Sequence, residues 1–94
     1  MWEVVWDRSV PKALDRAPVE IQRKFEKWRE VAQLDGPMGL LRIRGFRDHA
    51  LKGDWEGARA SRLNDQWRVI YVVRSGELRV MVLEVTAHDY RKKS

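Results

Sequence analysis

Trp67-Arg68-Val69-Ile70-Tyr71-Val72-Val73, the turn Arg74-Ser75-Gly76-Glu77, and the run from Leu78 to Thr86 together decide the fold. Two stretches rich in β-branched and aromatic residues flank a short Gly-containing turn, the pattern of an antiparallel hairpin. The second stretch is apolar on both faces, which places it inside the sheet. Just upstream, Arg59-Ala60-Ser61-Arg62-Leu63 leads through a turn at Asn64-Asp65-Gln66 into the hairpin, so a third strand extends it into a meander.

Farther upstream the period changes. Ile21, Phe25, Trp28 and Ala32 recur at i, i+4, i+7 and i+11, one apolar stripe at helical spacing. Pro18 marks the start of that helix, and Asp35-Gly36-Pro37 marks its end. A shorter helix through about Ala17 is predicted from cap-type residues at Asp7 to Ser9 and from Pro11 in its first turn. Trp2-Glu3-Val4-Val5-Trp6 reads as an opening strand. Gly39 to Asp54 reads as a Gly-punctuated connection. The order β-α-α-β-β-β predicts a single α+β domain over residues 1–94, with two N-terminal helices packed on one face of a four-stranded, mostly antiparallel sheet. Trp6, Phe25 and Trp28 are expected in the core, and Trp55 is expected to pack under the sheet.

Composition narrows the chemistry. The chain has 94 residues, 44% hydrophobic and 35% charged, a globular balance. It has no Cys, which excludes a disulfide scaffold, a thiolate nucleophile and any Cys-ligated metal. His49 and His88 are the only histidines, too few for a zinc site without recruiting carboxylates. Gly-rich phosphate loops, H-E-x-x-H and a serine nucleophile elbow are also missing, so no metal or cofactor is expected. No apolar run approaches the roughly 20 residues of a membrane span. Met1 to Asp7 carries acids where a secretory signal has cations. The expectation is a cytoplasmic protein without membrane association. Nineteen Lys and Arg against fourteen Asp and Glu give a net charge of +5, a balance that favours a polyanionic partner.

The residues with chemical potential cluster around the strands. Arg62 alternates onto the face of Ala58 and Ala60, two small residues that leave its guanidinium uncrowded. Arg68 interrupts an apolar run, where an unpaired charge is costly. It either pairs with Asp65, Glu84 or Asp48, or it is a fork-shaped cation aimed at a phosphate. His49 and His88 bracket these strands. Each is either an ordinary surface imidazole or one member of an acid/base pair working near neutral pH. Such a pair with two arginines suits metal-free RNA cleavage, in which a ribose 2′-OH attacks the adjacent phosphate. That reaction needs a base, cations for the phosphorane and an acid for the 5′-oxygen. Tyr90 offers base stacking or covers a sheet edge. Arg91-Lys92-Lys93 is a solvated terminus or an electrostatic attraction for RNA.

His49-Ala50-Leu51-Lys52-Gly53-Asp54-Trp55-Glu56-Gly57, continued by Arg62-Leu63-Asn64-Asp65-Gln66-Trp67-Arg68-Val69-Ile70-Tyr71, resembles the RelE/ParE superfamily of bacterial type II toxins. The pattern is nearest the HigB, YoeB and YafQ branches, and His88-Asp89-Tyr90 is similar to the ending of that family. The resemblance spans about Gly45 to Tyr90. It implies a ribosome-dependent mRNA endonuclease acting in the ribosomal A site, restrained by a cognate antitoxin, with operator DNA bound only through the toxin–antitoxin complex. By position, it implies catalytic roles for His49, Arg62, Arg68, His88 and Tyr90. It implies RNA contacts for Lys52, and the nearby cations Arg44, Arg47, Arg59, Arg91 and Lys92 are grouped with it. Asp89 stands where HigB-like members carry an implicated Asp, and it is either catalytic or a cap. Ala58 departs from the family, where an aromatic often follows the Gly. The alternatives are a ParE-like, non-enzymatic inhibitor of DNA gyrase and a catalytically silent member that binds only antitoxin and operator.

Overall fold

The computed structural model describes residues 1–87. His88, Asp89, Tyr90, Arg91 and Lys92 therefore lie outside the described residues. The β-rich runs form strands β1 (Glu3–Trp6), β2 (His49–Ala50), β3 (Arg59–Arg62), β4 (Arg68–Arg74) and β5 (Arg79–Thr86); the helical stretches are α1 (Ser9–Arg16) and α2 (Val19–Arg42). One five-stranded sheet results, in the order β1-β5-β4-β3-β2. β1 runs parallel to β5, from Glu3 opposite Arg79 to Trp6 opposite Val82, and every other pair is antiparallel. β5, apolar on both faces, is flanked by β1 and β4, as its composition predicts. The β4–β5 register shifts between Ile70 and Tyr71: Ile70 faces Glu84 and Tyr71 faces Val82, leaving Leu83 as the extra residue of a bulge.

Both helices pack on one face. The stripe of α2 supplies Ile21, Phe25, Trp28 and Ala32, and α1 supplies Val10, against Val4, Val69, Tyr71, Val80, Val82 and Val85 of the sheet. Trp28 is fully buried; it stacks on Phe25 at 5.7 Å and meets Tyr71 edge-on at 5.3 Å between ring centroids. Truncating a buried residue of this size costs about 3–5 kcal/mol, so the α2–sheet contact is a main source of stability. On the other face a smaller cluster forms from Leu51, Ala58, Ala60 and Ile70, with Trp55, Val72 and Leu83 packed against it. Trp55 packs against the sheet as expected.

The structure corrects two details and refines a third. Gly36 adopts φ 65°, ψ −157°, outside the helical region, so the first helical stretch of α2 ends at the Asp35-Gly36-Pro37 stop as expected, and a second stretch follows it directly. Pro37, whose fixed φ suits a first helical position, opens a further helical stretch to Arg42. Gly36 is required twice over: its φ is unfavourable for other residues, and a Cβ there would lie 2.4 Å from the Trp2 ring. The segment from Gly39 to Asp54 is accordingly not a plain connection. It holds the end of α2, single helical turns at Arg44–Phe46 and Gly53–Trp55, and β2, the fifth strand. β2 has only two residues, too short for a periodicity signal. Trp6 is not in the core but 41% exposed. It is the last residue of an edge strand, and the Arg29 guanidinium lies over its ring at 6.0 Å.

Candidate functional site

Register places the chemical residues on the sheet face away from the helices. Arg62 of β3 stands directly opposite Arg68 of β4, and Arg68 stands opposite Thr86 of β5. Two residues along, on the same face, His49, Ala60, Ile70 and Glu84 form the next row across the sheet. Directly opposite residues in an antiparallel pair are about 4.5–5.5 Å apart at Cβ. A diagonal neighbour such as His49 relative to Arg62 lies at about 7–8 Å. Ala60, with no side chain beyond Cβ, occupies the gap between His49 and the two arginines. Sheet pairing therefore gathers two guanidinium groups and one imidazole around a small-residue floor.

The ring of His49 is oriented. Its Nδ1 lies 2.8 Å from the Arg47 carbonyl oxygen. A carbonyl only accepts, so Nδ1 carries the proton and Nε2 is the basic nitrogen of the neutral ring. Arg47 adopts a left-handed conformation (φ 45°) as the closing residue of the preceding helical turn. Both arginines are half-buried. Arg68 Nη1 approaches the Gln66 carbonyl at 3.5 Å. Arg62 Nη1 lies 3.8 Å from a fully exposed Asp65 carboxylate, a contact worth about 0–1 kcal/mol. Asp65 thus pairs with Arg62. Arg44, Arg47 and Lys52 are exposed on the segment around β2.

Arg59 is placed differently. Alternation turns it to the opposite face from Arg62, where its Nε and Nη2 donate to Asp48 Oδ1 at 2.8 and 2.7 Å. The other carboxylate oxygen of Asp48 accepts from Ser61 Oγ at 2.6 Å and from the Tyr71 hydroxyl. The Asp48 side chain is fully buried. Burial works against the charge of Arg59, but hydrogen bonding and charge attraction from Asp48 outweigh it and raise its pKa. Tyr71 is pushed above its ordinary range, by burial first and by the Asp48 carboxylate next. The cation grouped with the RNA contacts is therefore tied into a network that fixes the turn before β2. Asp48 was considered in the sequence only as a partner for Arg68. Its four-way role depends on the β2–β3–β4 register and has no signature in spacing.

No family model matches the chain. No curated protein matches its sequence either. Solved structures do match. The archaeal RelE–RelB complex from Pyrococcus horikoshii superposes with a TM-score of 0.73 at 24% identity, covering 99% of this chain and 98% of that chain. The chain has the RelE-type toxin fold. The YoeB–YefM complex from Staphylococcus aureus matches with a TM-score of 0.72 at 13% identity, covering 95% and 99% of the two chains. A YoeB/ParE toxin from Agrobacterium tumefaciens matches at 0.68 and 21%, covering 93% and 99%. The RelE-type architecture is thus held at low identity, as the α+β order and the motif resemblance led one to expect. Among the described residues no helix is long and apolar enough to cross a membrane.

Proposed function

We propose that the protein is the toxin of a type II toxin–antitoxin pair and acts as a metal-independent, ribosome-dependent mRNA endonuclease. The observation that carries this reading is the direct cross-strand pairing of Arg62 with Arg68, beside an oriented His49. Two guanidinium forks side by side suit one phosphate in the trigonal-bipyramidal state, where charge builds on its non-bridging oxygens.

In this reading a base, His49 through Nε2, removes the proton of the ribose 2′-OH. The 2′-oxygen forms a bond to phosphorus, the P–O5′ bond breaks, and an acid protonates the departing 5′-oxygen. His88, two residues beyond Thr86, is the proposed acid. The products are a 2′,3′-cyclic phosphate and a 5′-hydroxyl. Tyr90 is proposed to stack on a base, with Lys52, Arg44, Arg47, Arg91 and Lys92 contacting the backbone. Arg59 is assigned to the fold through Asp48. The proposed setting is the cytoplasm, with mRNA supplied in the ribosomal A site. The complexes with RelB and YefM among the similar structures support a cognate antitoxin as partner. Operator DNA is proposed to be met only in that complex.

The test is induction without antitoxin, with mRNA 5′ ends mapped and His49→Ala and His88→Ala run beside the parent. Codon-phased cuts in the parent that vanish in the variants are expected, since loss of a general acid or base costs roughly 10²–10⁴-fold. Growth arrest with intact mRNA and DNA-damage signalling would instead assign a ParE-like gyrase inhibitor. No arrest at all would leave a silent binding protein.

A further inference from the structure

His49 stands on β2, an edge strand of two residues joined to β3 by two register pairs, His49 with Ala60 and Ala50 with Arg59. So short a ladder frays and does not by itself hold a ring in one orientation. The turn before it is strained, because Arg47 is held at φ 45°, a left-handed conformation uncommon outside glycine. Such a conformation persists only where its surroundings impose it. Asp48 is what imposes it. The carbonyl beside His49 Nδ1 belongs to the Arg47–Asp48 peptide, so acceptor and ring are the two neighbours of one residue. The carboxylate of that residue is fully buried and accepts from Arg59 Nε and Nη2, from Ser61 Oγ and from the Tyr71 hydroxyl. Arg59 and Ser61 belong to β3 and Tyr71 to β4, so this one side chain ties the turn to two inner strands. Replacing a buried ion pair by apolar side chains often leaves stability unchanged or raises it, so stability alone does not call for one at this edge. What a fully satisfied buried network adds is a fixed position.

We propose that Asp48 is the positioning residue of the site: it holds the Arg47 carbonyl against His49 Nδ1 and thereby keeps Nε2 as the nitrogen that takes a proton. The inference rests on the reading of His49 as the base, and it adds what prepares that base. Asp48 touches no substrate. Successive residues along a strand point to opposite faces, so the carboxylate is anchored on one side of the sheet while the imidazole stands on the other. A histidine ring in water prefers its proton on Nε2, the tautomer that cannot accept one there from a ribose 2′-OH. Which nitrogen carries the proton is set by the hydrogen bond that the other makes. Asp48 acts through that bond: by fixing the Arg47 peptide it selects the less common tautomer, with Nδ1 protonated and Nε2 basic.

The test reads the tautomer of His49 by nitrogen-15 NMR of the full chain at alkaline pH, where imidazoles are neutral, with His88→Gln assigning the two rings. The parent is expected to carry the proton on Nδ1. Asp48→Asn keeps the size of the side chain, removes the ion pair with Arg59, and is expected to shift the ring toward the Nε2–H form. Ser61→Ala/Tyr71→Phe withdraws two donors and leaves Asp48 paired with Arg59. It is expected to shift the ring the same way to a smaller extent, and it decides the matter should Asp48→Asn fail to fold. Val80→Ala, a core truncation outside the network, is expected to lower Tm without moving the tautomer. On ribosome-bound mRNA, Asp48→Asn is expected to lower kcat about tenfold to a hundredfold with KM little changed, the cost of a misplaced catalytic group. An Nε2–H parent, an unmoved tautomer in both network variants, or an equal shift in Val80→Ala overturns the proposal. So does a kcat that stays at the parent level once the tautomer has shifted. The tautomer is measured without RNA, so a parent that cuts no mRNA fails the nuclease reading and leaves the positioning of His49 by Asp48 standing.

Discussion

Replacing Asp48 by Ala removes one fully buried carboxylate and strands three donor side chains, four donor atoms in all, at once. Tyr71 and Ser61 are completely buried, so their hydroxyls lose a partner that water cannot replace, and Arg59, less than a third exposed, loses its ion pair. Breaking a buried pair by deleting one member costs about 3–5 kcal/mol. A buried hydroxyl left without a partner costs about 1–3 kcal/mol. These terms overlap because they describe one network, so about 3–5 kcal/mol is expected in total. That is a large fraction of the roughly 5–15 kcal/mol that holds a domain of this kind. For a chain of this length it corresponds to a Tm lowered by roughly 15–25 °C. Urea unfolding followed by tryptophan fluorescence gives the free energy, and the midpoint is expected to fall with little change in slope. Tyr71→Phe, which removes one donor and leaves Asp48 its other partners, is expected to cost about 1–2 kcal/mol. A loss below about 1 kcal/mol for Asp48→Ala would refute the claim that this carboxylate organises the turn before β2.

The remaining predictions concern pH, the helix break and the division of labour among the arginines. Tyr71 has its pKa raised above 10, so the folded state favours the neutral phenol. Its contribution is fully present below the unfolded pKa and is lost as pH rises through the higher folded value. Alkaline melts should therefore show falling stability above about pH 10, and Tyr71→Phe should flatten that limb; an unchanged limb contradicts the assignment. Gly36→Ala forces a Cβ into the Trp2 ring at a strained φ and should cost about 1–3 kcal/mol in a thermal melt. A variant melting like the parent would show that the break tolerates a side chain. Arg59→Ala and Arg68→Ala should separate: the first lowers Tm, while the second melts within about 0.5 kcal/mol of the parent yet loses RNA cleavage. The reverse pattern would move the site to the helix face.

Much of this was legible in the sequence because hydrophobic period survives translation into packing. The stripe Ile21-Phe25-Trp28-Ala32 and the two-faced apolar run of β5 each had one reasonable structural solution, and both took it. The alternation of Ala58 and Ala60 likewise put both on one face, where they pack together. Register was not legible. That Arg62 faces Arg68, or that Asp48 gathers Arg59, Ser61 and Tyr71, depends on which strand residues sit opposite one another. Turn geometry and a bulge at Ile70/Tyr71 set that register. β2 was missed because two residues carry no period, and Trp6 was misjudged because strand ends at a sheet edge lack covering neighbours. The basic residues of α2 read as a solvated face, which they are. Only the fold shows that Arg23, Lys24 and Lys27 rim a cavity together with Arg62. Expectations on His88, Asp89, Tyr90, Arg91 and Lys92 fall outside the described residues.

The central claim is that the paired arginines serve attack by a ribose 2′-OH on its own phosphate. Its most direct test is cleavage of an mRNA held on purified ribosomes, with the product ends analysed chemically. The account predicts a 2′,3′-cyclic phosphate and a 5′-hydroxyl. It further predicts complete protection when the nucleotide at the cut carries a 2′-deoxy sugar, and loss of cleavage in Arg68→Ala. A 5′-phosphate product, or cleavage that persists at the 2′-deoxy position, would contradict it.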